Sequence, residues 1–160
     1  MANVFALIAA DELSSPCRLL FQAISHARQH CMGIEWRIGM FLLSSYKSTP
    51  AIDEANRRSF QVEILWQRYP FDAWVIRQGL KVIREYQINI LESHGTKPAF
   101  VAWCLKRVTG ISWIAYAHGY TSESRRMAIY NQLDRWLIRD RKSTRLNSSH
   151  IQKSRMPSSA

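Results

Sequence analysis

Residues 111–139 read ISWIAYAHGYTSESRRMAIYNQLDRWLIR, and the fold is decided there. Ile111–Ala117 is an apolar, β-prone run that stops at His118-Gly119. A polar break follows, Tyr120-Thr-Ser-Glu-Ser, and then a long helical pattern over Glu123–Arg139. A short, wholly apolar run bounded by turn residues fits a strand buried on both faces. Its carboxyl end presents a histidine and a glycine just before a helix begins. Open α/β sheets bind ligands just outside the carboxyl ends of their strands, which makes His118 the first candidate for a site.

Upstream the same grammar repeats. Asn3–Ala10 is a short apolar run ending at Asp11-Glu12, and Ser14-Ser15-Pro16 breaks it. A helix is predicted from about Pro16 to Cys31, with Leu19, Leu20, Ala23, Ile24 and Ala27 as its apolar face. Glu35–Leu43 fits a second strand, and the polar stretch Ser44–Arg58 fits a loop with a short helix. Phe60–Trp66 is a third strand ended by Arg68-Tyr69-Pro70, and Asp72–Gln87 is helical by pattern. Ile88–Leu91 is a fourth strand ending in Glu92-Ser93-His94-Gly95. Pro98–Val108 is a helix closed by Thr109-Gly110. This alternation predicts an α/β fold with a Rossmann-like, mainly parallel, doubly wound sheet and helices on both faces. Right-handed crossovers then put the strand ends Ala10, Trp66, His94 and His118 on one rim.

The wording of these strand ends resembles the N-terminal half of the family 4 glycosyltransferases. Their fifth strand ends in a similar His-Gly ahead of a YxxLDRW-like helix, here Tyr130-Asn-Gln-Leu133-Asp134-Arg135-Trp136. Ser93-His94-Gly95-Thr96 resembles the end of the family's fourth strand, with Glu92 where a histidine or another polar residue often stands. The resemblance follows the order of elements over most of residues 3–139 and is specific mainly at 88–95 and 112–139. It implies a retaining, metal-independent glycosyltransferase of the two-domain GT-B type, moving a hexose from a nucleotide-sugar donor to a glycan, lipid-linked or small-molecule acceptor. Residues 1–139 would form the acceptor-side domain, and most of the donor site would lie in a second domain. Catalysis needs both walls of the cleft to orient the reactants and exclude water, so this chain alone is expected to be inactive.

The resemblance assigns roles residue by residue. His118 would lie between donor sugar and acceptor and donate hydrogen bonds to the reacting sugar, with Gly119 and Tyr120 beside it. His94 and Gly95 would bind substrate on the neighbouring strand. Ser14 and Ser15 occupy the first strand-to-helix loop, where family members carry Gly-Gly near the donor diphosphate. This departure weakens the argument for tight backbone approach there, although hydroxyls at a helix N-terminus can still face an anion. Arg125 and Arg126 would face a phosphorylated or lipid-linked acceptor. Each position has a plainer reading as well. Ser14-Ser15-Pro16 and Thr96-Lys97-Pro98 both suit helix caps, and Ser122–Arg126 suits a solvated helix start.

Residues 140–160, DRKSTRLNSSHIQKSRMPSSA, break with the rest, because apolar periodicity stops and Ser, Lys, Arg and Asn dominate. The run fits a disordered basic tail. It also reads as an in-frame translation of a common DNA-sequencing adapter over Asp140–His150 and Ser154–Ala160, with Ile151-Gln152-Lys153 where a sample index would fall. On that reading the tail is non-native and the natural protein continues past about Arg139.

Composition narrows the alternatives. The 160 residues carry 22 Lys and Arg against 12 Asp and Glu, a net +10. The tail holds five basic residues and one acidic one, which leaves residues 1–139 at +6. That charge alone does not mark a nucleic-acid binder. Cys17, Cys31 and Cys104 show neither a CxxC pair nor metal-ligand spacing and fit buried thiols in a reducing compartment. No metal and no bound cofactor is expected beyond the nucleotide-sugar co-substrate. The start MANVFALIAADELSSP lacks the pattern of a signal peptide, so a cytoplasmic protein is expected, with peripheral contact at the inner face of the membrane as an option. Tyr69, Trp74, Arg77, Lys81 and Arg84 set aromatics and bases on one helix, a pattern shared by membrane-touching helices and by ordinary helices with one face in core and one in solvent. The rival to the enzyme is a non-catalytic, flavodoxin-like binding or signalling domain, since fold does not fix function.

Overall fold

Val4 to Ile8 are buried without interruption, and only a strand covered on both faces accommodates such a run. In the computed structural model that strand, β1 (Ala2–Ala9), is the centre of a five-stranded sheet. The structure describes residues 1–9, 12–30, 33–69 and 72–116. Within them follow α1 (Ser15–His30), β2 (Ile34–Leu43), α2 (Pro50–Arg57), β3 (Gln61–Gln67), α3 (Trp74–Glu85), β4 (Ile90–His94), α4 (Thr96–Thr109) and β5 (Ser112–Tyr116). The helix expected over Glu123–Arg139 and the tail at 140–160 lie outside the described residues, as do Ala10 and Cys31.

The strand order is β3-β2-β1-β4-β5, and every neighbouring pair is parallel. The predicted α/β, doubly wound, Rossmann-like sheet is therefore the one observed, and it is parallel throughout the described residues. Alternation along β1 divides the core. Phe5 and Leu7 pack with Phe41, Leu65 and Leu91 beneath α3 and α4. Ala6 and Ile8 pack with Ile38, Met40 and Leu42 beneath α1 and α2. The first two crossovers thus run over one face and the next two over the other. They part between β1 and β4, which are hydrogen-bonded neighbours.

Three expectations need correction. The apolar face of α1 is Cys17, Leu20, Phe21 and Ile24, spaced i, i+3, i+4, i+7, whereas Leu19 and Ala23 are exposed. Leu20 and Ile24 belong to two overlapping stripes, and docking on the sheet selects the one that buries Phe21. The fourth strand runs over Ile90–His94 and not over Ile88–Leu91, because Glu92, Ser93 and His94 pair in register with Ala6, Leu7 and Ile8. The cap of α4 is Gly95, not Thr96, which already belongs to the helix. The short helix foreseen within Ser44–Arg58 is α2, and Thr49 caps it by accepting the Ile52 N–H at 3.4 Å on its hydroxyl.

One glycine in the sheet marks a close approach. A Cβ on Gly39 would stand 2.6 Å from Leu7 Cδ2 and 2.7 Å from Phe5 Cζ, and both side chains are fully buried. Neither can swing into solvent, and overpacking a filled core typically costs about 1–3 kcal/mol. Gly39→Ala is expected to lower unfolding stability by about that amount in urea titrations. An unchanged midpoint and slope would contradict the packing described.

Candidate functional site at the carboxyl ends of β1 and β4

Where crossovers diverge, no connection closes the rim of the sheet, and a crevice is left outside the strand ends. Here that point lies between β1 and β4. The structure brings Ser14-Ser15, which follow β1, and His94-Gly95, which end β4, to the ends of adjacent strands.

Ser14 and Ser15 are exposed at the start of α1. The Ser14 carbonyl accepts the Arg18 N–H at 3.0 Å, the first bond of the helical ladder, and the Ser14 N–H donates to the Glu12 carbonyl at 2.8 Å. The helix therefore offers its N-terminal turn to the rim with two hydroxyls beside it.

Gly95 has φ +98° and ψ 172°, a region open essentially to glycine alone. A Cβ placed there would meet no atom within 4 Å among the described residues. Backbone geometry, not crowding by the described residues, thus demands glycine at 95.

His94 is 7% exposed, and its ring stacks on Tyr116 of β5, its register partner, with centroids 4.7 Å apart and planes 2° from parallel. Two residues earlier on the same face, Glu92 is 5% exposed, and its Oε2 lies 3.6 Å from His94 Nε2. That separation is too long for a good hydrogen bond but close enough for the carboxylate to act on the imidazole electrostatically. The Tyr116 phenol is pushed above its usual value of 10, first by burial and then by the charge of Glu92. On the opposite face, the Trp113 indole N–H donates to Ser93 Oγ at 2.8 Å and pins β4 to β5. The result is a buried histidine beside the switch point, stacked on an aromatic ring, close to a carboxylate and followed by a glycine at positive φ.

A further polar pair escaped the sequence. Lys97, in the first turn of α4, donates from Nζ to Gln67 Oε1 at the end of β3 at 2.6 Å, and its amine stands 5.3 Å from the centre of the Phe41 ring. Gln67 is buried. The available signal was a lysine at a helix N-terminus, where the macrodipole disfavours a cation. His118, Gly119, Tyr120, Arg125 and Arg126 lie outside the described residues. Among the described residues no group of three His, Cys, Asp or Glu could hold a metal ion, and no helix is long and apolar enough to cross a membrane.

No family model and no curated protein matches the sequence. Solved structures do match the fold. Anabaena HepE in complex with UDP aligns with a TM-score of 0.65 at 12% identity, over 86% of this chain and 35% of that one. A glycosyltransferase from Rickettsia africae gives 0.59 at 13% identity, over 81% and 33%. UDP-GlcNAc 2-epimerase from Neisseria meningitidis, bound to UDP-GlcNAc, gives 0.55 at 12% identity, over 84% and 38%. The chain spans about a third of the length of these structures. Its fold is the Rossmann-like α/β domain that they share.

The Tyr116 environment is open to a direct check. Glu92→Gln removes a negative charge that opposes a second one, so the phenolate should form at lower pH while the contribution of burial remains. A 13C-tyrosine NMR titration should show the Tyr116 pKa falling back toward 10 in the variant. An unmoved Tyr116 titration would contradict the arrangement.

Proposed function

We propose that this chain is the acceptor-side, Rossmann-like domain of a glycosyltransferase that moves a sugar from a nucleotide-sugar donor to an acceptor. The observation that carries the reading is the likeness to HepE, whose structure holds UDP, over 86% of this chain. Gly95, held at positive φ beside the switch point, supports it, since that is where a Rossmann-like sheet receives a ligand. The domain spans residues 1–139, and 140–160 is a non-native tail. The enzyme is a retaining, metal-independent hexosyltransferase of the family 4, GT-B kind and acts in the cytoplasm.

The residues divide the work as follows. Gly95 and the α1 N-terminus with Ser14 and Ser15 line the crevice and approach polar substrate groups through backbone N–H and hydroxyl donors. His94, stacked on Tyr116 at the end of β4, binds substrate beside Gly95. His118, with Gly119 and Tyr120, donates hydrogen bonds to the sugar as charge develops on it, and Arg125 and Arg126 meet an anionic acceptor. The second domain supplies the opposing wall and most of the donor contacts. The epimerase neighbour favours a second reading, in which the same crevice serves a nucleotide sugar that is rearranged without an acceptor.

The test uses the longer protein encoded by the source DNA, offered UDP-, GDP- and ADP-hexoses with candidate acceptors. Glycosylated acceptor and free nucleoside diphosphate are the expected products. His118→Ala should lower turnover by on the order of 100-fold with an unchanged melting temperature. The 160-residue chain alone should transfer nothing. Near-normal turnover in His118→Ala would remove that residue from the site, and an epimerised nucleotide sugar without transfer would select the second reading.

A further inference from the structure

We propose that the end of β3 and the solvent-facing stripe of α3 form a docking surface for an anionic lipid bilayer. Three large aromatics are exposed within nine residues: Trp66 at 45%, Tyr69 at 56% and Trp74 at 46%. From Trp74 the stripe continues through Arg77, Lys81 and Arg84, all exposed and spaced i, i+3, i+7, i+10, which keeps them on one side of the helix. Arg68 is exposed near the aromatics as well. The Arg77 guanidinium lies 4.8 Å from the centre of the Trp74 ring. A shallow groove of about 510 Å³ runs along the stripe, lined by Arg77, Leu80, Lys81, Arg84 and Glu85.

Two carboxylates share this surface. Glu85 lines the groove, and Asp72 accepts the backbone N–H groups of Arg68 and Trp74 at 3.0 and 2.9 Å. Those bonds hold the Asp72 carboxyl below its usual value of 3.8 and keep it in the turn that starts α3. Four cations thus face outward against two carboxylates, one of them committed to the backbone.

Charge complementarity and the aromatics select the occupant. Trp and Tyr with an apolar body and a polar tip settle at the headgroup level of a bilayer, and flanking Lys and Arg are drawn to anionic lipids. An added β-strand from a protein partner is disfavoured at this edge. The Gln78 side chain accepts the Trp66 N–H at 3.0 Å and donates to the Trp66 carbonyl at 2.7 Å, so it already closes the outer edge of β3 there. The surface adjoins the rim, because β3 ends and α3 begins on the same side of the sheet as Gly95. Docking stands independently of the transfer reading. Its consequence, that the acceptor is lipid-linked and met at the bilayer surface, rests on that reading.

The test is flotation of the 160-residue chain with phosphatidylcholine vesicles, with and without phosphatidylglycerol. The basic segment 140–160 itself favours anionic vesicles, so surface variants carry the result. Trp74→Ala with Tyr69→Ser, and separately Lys81→Gln with Arg84→Gln, should each weaken binding to phosphatidylglycerol vesicles by about tenfold or more. All four side chains are exposed, and circular dichroism should show an unchanged fold. Equal binding by variants and parent, equal binding to both vesicle types, or binding to a single-stranded oligonucleotide in place of vesicles would each overturn the proposal. Vesicle binding that the variants lose, in a longer protein that transfers no sugar, would sustain docking and reject the transfer reading.

Discussion

Everything in this domain follows from β1 being buried on both faces. A strand with Phe5 and Leu7 on one side and Ala6 and Ile8 on the other needs a covering layer above and below. Its parallel neighbours cannot be joined by tight turns, so each connection becomes a crossover helix. Handedness then sends α1 and α2 over one face and α3 and α4 over the other. The switch point between β1 and β4 is the geometric consequence of that division among the described strands, and open α/β sheets receive ligands at such points.

The rim is also where polar groups enter the buried interior. Glu92, Ser93 and His94 occupy positions that a core strand would give to apolar residues, and each is at most 7% exposed. The sheet tolerates them because each has a specific neighbour. Ser93 accepts from Trp113, His94 stacks on Tyr116, and Glu92 lies opposite the small Ala6 in register and close to His94. Burying such groups without compensation costs roughly several kcal/mol, which is why the close neighbour that each of the three keeps matters to the sheet.

The fold was legible because apolar runs and helical stripes alternate plainly from Asn3 to Ala117. The details lost were those that depend on contacts distant in sequence. Nothing local chooses between the Leu19–Ala23 stripe of α1 and the Cys17–Phe21 stripe, and only the sheet beneath decides. The polarity of Glu92-Ser93-His94 resembles a loop until their register against β1 and β5 is known. Lys97 and Gln67 are thirty residues apart, and no periodicity links them. The placement of the candidate residues was legible in part. His94-Gly95 stands at the carboxyl end of β4 beside the switch point, as strand-end logic expects, whereas His118, Gly119 and Tyr120 lie outside the described residues.

On the proposed function, this rim is one wall of a cleft whose other wall lies in a second domain. A long read of the source DNA through the Arg139 codon tests it most directly. An uninterrupted frame that departs from Asp140–Ala160 and encodes another α/β domain is the expected result. A frame that encodes Asp140–Ala160 and then stops would contradict it, restore the tail and its charge to the native protein, and leave a stand-alone binding domain in place of the enzyme.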